Sequence, residues 1–224
     1  MRFDILSLFP EYFQGPFSES ILKRAIEAGI LEINHVNIRD FACNKWNRVD
    51  DRPYGGGPGM VLMAEPVTKA LRSVKVPTAH TVYLSPQGKP LTAAKCRKLA
   101  QKEHLILLCG HYEGVDERVL ESEIDEEISI GDYVLTNGCL AAIVLVDAVS
   151  RFVEGVLGHP DAASCDSFEE KKCVFDCPHY TRPEEFEGKK VPDILLSGNH
   201  REIARWREGR ALEKTLKVRP ELIK

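Results

Sequence analysis

Short apolar runs alternate with helix-like segments along the first two thirds of the 224-residue chain. Five runs have the length and composition of strands, at residues 2–9, 31–38, 81–85, 105–109 and 124–130. Segments with helical periodicity or helix caps follow them, at residues 16–28, 65–74, 92–102, 115–122 and 140–153. Such alternation favours a parallel sheet with helices on both faces, so we predict an α/β fold.

The pattern changes after residue 154. Residues 155–178 hold Gly, Pro, Ser and charged residues with little periodicity, which is typical of a linker. The main element of the remaining chain is a predicted helix near residues 199–217. We therefore predict a sheet domain over residues 1–154, a linker over 155–178 and a small, mainly helical domain over 179–224.

Charge is distributed unevenly along the chain. The net charge is −4, which argues against a protein that is basic all over. Residues 189–224, however, hold ten Lys or Arg against five Asp or Glu, so this segment carries +5 and the rest −9. A basic segment of this kind predicts contact with a polyanion, although a solvated helix face is the alternative.

The seven cysteines are odd in number and form no CxxC motif, which favours reduced thiols over disulfides. Cys165, Cys173, Cys177 and His179 are close in sequence, but their spacing fits no structural zinc pattern, so we predict no zinc site. No apolar run has the length of a membrane span, and the N-terminus lacks the features of a signal peptide. We expect a soluble, cytoplasmic protein without a membrane partner.

Glycine-containing motifs follow three of the predicted strands. They are SPQGKP at residues 85–90, CGHYEG at 109–114 and IGDYVLTNG at 130–138. Ligands of open parallel sheets bind at the carboxyl ends of the strands, so the three loops predict one pocket with a backbone floor. Such a floor suits an adenine base and a ribose, whereas the motifs match neither GxGxxG nor a P-loop.

An ordered set of motifs runs from residue 3 to residue 222. It comprises RPYGGGPGMVLMAEP, SPQGK, LCGHYEGVDERV, SIGDYVLTNG, LVDAVSR, DSF, DCPHYTRP, LLSGNH and RPEL. Together these motifs resemble the bacterial tRNA (guanine-N1)-methyltransferases, a family of the SPOUT group. The resemblance implies a deep trefoil knot in the first domain, S-adenosyl-L-methionine as cofactor, and tRNA with guanine 37 preceded by guanine as substrate. It also implies a homodimer whose active sites are built from both chains.

The resemblance assigns roles to particular residues. The cofactor would be bound by Leu84, Ser85, Pro86, Gln87, Gly88, Cys109, Gly110, Tyr112, Glu113, Ser129, Ile130, Gly131, Tyr133, Leu135, Thr136 and Gly138. The residue types themselves suggest the tRNA contacts: His179, Tyr180 and Arg182 are candidates to line the target base, and the basic C-terminal helix, with Arg201, Arg205, Arg207 and Arg210, would follow the phosphates. The family is thought to depend on Mg²⁺, which makes Glu113 and Asp116 candidates for binding it.

The catalytic pair implied by the resemblance is Asp166 and Arg151. Guanine N1 carries a proton, so a carboxylate within hydrogen-bond reach must take it before N1 can attack. Negative charge then develops toward O6, where a cation stabilises the transition state. An Asp and an Arg meet both needs, and Asp176 is the rival base.

Two residues depart from the family pattern, which has Gly-Gly-Glu where this chain has Asn137-Gly138-Cys139. Asn137 would preserve the turn because Asn tolerates left-handed backbone geometry, whereas Cys139 removes a carboxylate. The departures keep one alternative to the enzyme open, an RNA-binding protein that has kept the fold but lost catalysis. A further alternative, which rests on the α/β sheet alone, is a different small-molecule transferase.

Overall fold

The computed structural model describes residues 1–158, 166–168 and 175–223. The chain forms two compact units, Met1–Pro160 and Asp161–Lys224. The division falls inside the segment predicted as a linker, whose bounds at residues 155 and 178 stay a prediction. Part of that segment lies outside the described residues, and so do Cys165 and Cys173.

The first unit alternates strands with helices. Its strands are β1 (Arg2–Ser7), β2 (Glu32–Asn37), β3 (Asp50–Asp51), β4 (Val61–Leu62), β5 (Ala79–Pro90), β6 (His104–Cys109) and β7 (Glu126–Ser129). Its helices are α1 (Ser20–Glu27), α2 (Ala64–Val74), α3 (Ala93–Ala100), α4 (Glu117–Glu123) and α5 (Cys139–Ser150). Thr92 and Asp116 cap α3 and α4, because each side chain accepts a hydrogen bond from a first-turn backbone amide.

Five strands form one sheet in the order β2-β1-β6-β5-β7. Every pairing within this sheet is parallel, which confirms the predicted parallel α/β architecture. β6 lies between β1 and β5, and the chain then passes β5 to place β7 at the edge. The carboxyl ends of β5, β6 and β7 therefore lie side by side.

Alternate side chains of the sheet contribute to two separate cores. Leu105 and Leu107 of β6 pack in one core with residues from α1, α3 and α5. Ile106 and Leu108 pack in the other core with residues from α2 and α4. Because successive side chains of a strand point to opposite faces, helices cover both faces of the sheet, as predicted.

β5 is longer than the sequence predicted. The motif at residues 85–90 was expected to be a loop, but the strand continues to Pro90. Ile128 of β7 is paired with Leu84 and again with Lys89, so the residues between them bulge out of the ladder. The bulge lets Gly88 approach β7 so closely that an added Cβ would lie 2.4 Å from the backbone nitrogen of Ile128.

The second unit consists of a short hairpin and two helices over its described residues. They are β8 (Glu185–Phe186), β9 (Lys189–Lys190), α6 (Asp193–Leu196) and α7 (His200–Val218). α7 starts at Asn199, whose side chain accepts a hydrogen bond from the backbone amide of Glu202. In the part of the chain that the structure describes, no helix is both long enough and apolar enough to cross a membrane.

Candidate active site

A pocket of about 190 Å³ lies where β6 and β7 end, beside the bulge of β5. Most of the residues predicted to bind a cofactor line it, namely Leu84, Ser85, Pro86, Gly110, Tyr112, Glu113, Ser129, Ile130, Gly131, Tyr133, Leu135, Thr136 and Gly138. Gln87, Gly88 and Cys109 are not among the lining residues. Gly88 instead lies against the backbone of β7, and Cys109 is fully buried in the core beneath.

Two of the pocket loops are in direct backbone contact. The amide of Gly138 donates a hydrogen bond of 2.8 Å to the carbonyl of Gly110. An added Cβ on Gly138 would lie 2.8 Å from the nitrogen of Gly110, and one on Gly110 would lie 2.8 Å from the hydroxyl of Tyr83. Gly138 is therefore required because the backbones of the two loops approach each other closely. Gly110 is required because the hydroxyl of Tyr83 lies against it.

The loop after β7 is tied to itself by short-range hydrogen bonds. The hydroxyl of Ser129 donates to the carbonyl of Gly131 at 2.9 Å, and the amide of Tyr133 donates to the same carbonyl at 2.9 Å. Gly131 has a φ of 156°, which favours glycine. The turn leaves Tyr133 and Val134 exposed at the rim of the pocket.

The loop after β6 is held by the segment between β3 and β4. The amide of Glu113 donates to the carbonyl of Met60, and the amide of Leu62 donates to the carbonyl of Gly114. Gly59 lies so close to Glu113 that an added Cβ would be 2.3 Å from its carboxylate. The glycine-rich segment of the first long motif thus supports one wall of the pocket.

The structure corrects the expectation for Asn137. Among the described residues, those with positive φ do not include Asn137, so it does not act through a left-handed conformation. Its side chain instead accepts a hydrogen bond of 2.9 Å from the amide of Cys139, the first residue of α5. The bond satisfies one of the amides that a helix leaves free at its start.

Cys139 is fully buried beneath the pocket, with its sulfur 3.9 Å from Nε2 of His111. A hydrogen bond with Cys109 lowers the pKa of Cys139 to about 6, against the opposing effect of burial. The start of a helix also favours a thiolate. The residue that replaces a carboxylate in the family pattern is therefore a thiol whose pKa is shifted toward the anionic form.

The residues predicted to be catalytic lie in different units. Arg151 ends α5 in the first unit, and its amide donates to the carbonyl of Asp147. Asp166 is half-buried in the second unit, next to Ser167, whose hydroxyl accepts a hydrogen bond of 2.9 Å from the amide of Asp176. The motif DSF and the motif DCPHYTRP are therefore in contact.

Asp176, the rival base, is already engaged by its neighbours. Its carboxylate accepts hydrogen bonds from the amide of Cys177 at 2.6 Å and from Nε2 of His179 at 2.8 Å. Burial raises the pKa of Asp176, but these bonds outweigh it and lower the pKa below its usual value. A carboxylate with a lowered pKa is the weaker proton acceptor, so these hydrogen bonds make Asp176 a weaker base.

A second pocket, of about 920 Å³, lies within the C-terminal unit. His179, Tyr180, Arg182 and Arg207, all predicted to bind tRNA, line it. The other arginines of this prediction, Arg201, Arg205 and Arg210, lie on α7 outside the lining. Arg205 pairs with Glu202 at 2.9 Å and Arg210 with Glu213 at 2.7 Å.

Sequence reasoning missed several residues of the first pocket. They are Tyr83, His111, Gly114, Ile128, Val134, Asn137 and Ala141. Most of these residues lie within the predicted motifs, next to residues that were assigned to the cofactor, so their position in the sequence could have identified them. Tyr83 lies inside a predicted strand, and no motif pointed to it. Burial raises its pKa to about 12, so its hydroxyl stays protonated and can donate a hydrogen bond.

A parallel sheet with a pocket of glycines, apolar and polar residues at its carboxyl edge is the arrangement of an α/β enzyme that binds a small organic ligand. The family model described as tRNA (guanine-1)-methyltransferase TrmD matches residues 1–224. This chain belongs to that family, and it is an enzyme of the tRNA methyltransferase class.

Three relatives show how closely the chain follows the family. It is 67% identical to the tRNA (guanine-N(1)-)-methyltransferase of Protochlamydia amoebophila, over 100% of both chains. It is 58% identical to the protein of that name from Chlamydia pneumoniae and 59% identical to the one from Chlamydia muridarum. The alignments cover 99% of this chain, but only 61% and 62% of those two longer proteins.

Proposed function

We propose that this protein transfers a methyl group from S-adenosyl-L-methionine to N1 of guanine 37 in tRNA, next to the anticodon. The observation that carries the proposal is the pocket at the ends of β6 and β7, beside the bulge of β5, in a chain of the TrmD family. The lining combines glycines and large apolar or aromatic residues with a few polar side chains, which suits an adenine and a ribose.

The residues of the pocket fit the proposed cofactor. Gly110 and Gly138 keep the backbone of two loops close together, while Ser85 and Thr136 place hydroxyl groups in the lining. The cofactor supplies an electrophilic methyl group on a sulfonium when it is bound. Glu113 at the wall provides negative charge that complements the sulfonium.

Asp166 and Arg151 are proposed to act on the guanine. Asp166 takes the proton from N1, and Arg151 stabilises the negative charge that develops toward O6. The guanine must be unpaired, because N1 lies on its Watson–Crick edge, and a loop nucleotide meets this condition. Asp176 remains the rival base, and its carboxylate accepts hydrogen bonds from His179 and from the amide of Cys177.

The C-terminal unit is proposed to hold the anticodon region of the tRNA, with guanine 37 preceded by guanine. The pocket beside α7 combines the ring of Tyr180 with the cations Arg182 and Arg207. Aromatic rings stack on unpaired bases, and cations contact phosphates. tRNA affinity should therefore fall steeply as salt increases.

We also propose a homodimer with shared active sites and a knotted first unit. The homodimer is supported by apolar side chains exposed on α5 and at the pocket rim, namely Leu140, Val144 and Val134. The knot is proposed from the membership of the chain in the TrmD family. Light scattering should give twice the chain mass, and a monomer would contradict the shared sites.

The family resemblance also suggests Mg²⁺ as a cofactor. The two candidate ligands, Glu113 and Asp116, differ in what their carboxylates contact. Asp116 is held through both oxygens by the guanidinium of Arg118, at 2.8 and 2.7 Å, so it does not fit a metal ligand. Glu113 lines the pocket and is the better candidate.

We place the enzyme in the cytoplasm, where tRNA is modified.

The proposed function is tested by a methyl-transfer assay with labelled cofactor and unmodified tRNA. Label should appear at guanine 37, and a tRNA carrying adenine at position 37 should remain unlabelled. If tRNA binds but gains no label, the chain is an RNA-binding protein without this activity. If neither tRNA binding nor labelling occurs, a transferase for a different substrate is the better explanation.

A further inference from the structure

We propose that Asp176, Cys177 and His179 form a binding site for a transition-metal ion of the zinc type in the C-terminal unit. One ligand atom from each of the three side chains lies within 4.8 Å of the other two. Among the described residues, this is the one group of three or more such side chains that meets the distance. The site lies outside the pocket proposed for the methyl donor and is independent of methyl transfer.

The carboxylate of Asp176 is oriented as a metal ligand needs. Its Oδ1 accepts the backbone amide of Cys177 at 2.6 Å, which leaves Oδ2 to face Nε2 of His179 at 2.8 Å. The backbone of Asp176 is itself fixed by the hydroxyl of Ser167 at 2.9 Å. Hydrogen bonds that hold a ligand from outside are a regular feature of metal sites.

The spacing of the three residues is rigid and local. Pro178 separates the cysteine from the histidine, and proline restricts φ to about −65°. Zinc binds sulfur at about 2.3 Å and nitrogen or oxygen at about 2.0–2.2 Å. Small movements of side chains that already lie within 4.8 Å would bring all three into contact with one ion.

The thiol of Cys177 releases its proton when it binds a metal, and the resulting combination of a thiolate, an imidazole and a carboxylate selects the ion. Thiolate and imidazole are ligands of Zn²⁺ and its neighbours in the first transition series, whereas Mg²⁺ prefers oxygen ligands. Three protein ligands leave a fourth position for water or another ligand. The sequence argued against zinc from cysteine spacing alone, because a carboxylate was not considered as a ligand.

The site adjoins the pocket proposed for tRNA. His179 is a ligand and a lining residue of that pocket, and its side chain is 72% exposed. A bound ion would hold the imidazole in place at the pocket wall, and its two positive charges would balance the thiolate and the carboxylate.

Cobalt titration of the full chain tests the site, with thiols kept reduced. Co²⁺ should bind once per chain and produce a thiolate-to-cobalt charge-transfer band together with the intense visible bands of tetrahedral coordination. Zn²⁺ should bleach these bands because it binds such sites more tightly than Co²⁺. Excess Mg²⁺ should leave them unchanged.

Substitution of each of the three residues shows whether it contributes to the cobalt bands. Cys177→Ser should abolish the charge-transfer band, while Asp176→Asn and His179→Ala should each weaken Co²⁺ affinity by about tenfold or more. Cys43→Ser is the matched control, because Cys43 is an exposed thiol held by Lys69 and far from these residues in sequence. Absence of the band in the unsubstituted chain, or its survival in Cys177→Ser, would overturn the proposal. Circular dichroism of each variant verifies the fold, and neither result depends on methyl-transfer activity.

Discussion

The amide of Gly138 donates a 2.8 Å hydrogen bond to the carbonyl of Gly110, which joins the loops that follow β7 and β6. The two residues are 28 positions apart in sequence, and each belongs to a different motif. Their contact brings separate motifs into one pocket. It also excludes a side chain at position 138, since a Cβ there would lie 2.8 Å from the nitrogen of Gly110.

Gly138→Ala is expected to separate the two loops. The added methyl group meets backbone that cannot move aside, so we expect a loss of about 1–3 kcal/mol in the free energy of unfolding, with weaker cofactor binding. Chemical denaturation and calorimetry measure both effects. Gly158→Ala is the control, because a Cβ at Gly158 meets no atom within 4 Å. Equal stability of the two variants would show that the contact is not tight.

Asp166→Ala is expected to lower the turnover of methyl transfer by about 10²–10⁴-fold, because N1 then loses its proton acceptor. The affinity for the cofactor should remain unchanged, since Asp166 is not among the residues lining the first pocket. Single-turnover assays and calorimetry provide the two measurements. Full activity would exclude Asp166 as base, and Asp176→Ala should then be tested.

Tyr180→Ala is expected to weaken tRNA binding by about 1–3 kcal/mol if the ring stacks on a base. The affinity should therefore fall by roughly 5- to 150-fold, as measured by filter binding. Phe186→Ala is the matched control, because Phe186 is an exposed aromatic residue of the same unit outside the pocket lining. Similar losses in both variants would contradict a specific role for the pocket.

Cys139 is expected to make the stability of the fold depend on pH. The pKa of this thiol falls from its ordinary value of 9.0 to about 6 in the folded chain, chiefly through the hydrogen bond with Cys109. The stabilisation is fully present above pH 9 and is lost as the pH falls toward 6. Unfolding free energies between pH 6 and pH 9 should therefore rise more steeply for the natural chain than for Cys139→Ser. Parallel curves would show that Cys139 remains a neutral thiol.

The main features of the sheet were predictable because they depend on local patterns. The run LILLC at residues 105–109 is apolar at every position, which indicates a strand covered on both faces, and β6 is buried throughout. The extension of β5 to Pro90 was not predictable. It depends on the pairing of Lys89 and Pro90 with β7, and these partners are distant in sequence.

The sequence by itself determined the alternation of strands and helices, the family of the chain and the motifs that line the pocket. These follow from residue types and from their order, which a linear reading contains. Only the tertiary structure decided that Gly88 packs on β7, that Asn137 bonds the amide of Cys139, and that Asp176, Cys177 and His179 converge. Such relationships depend on distances and directions between side chains and backbone, which the chain acquires only when it folds.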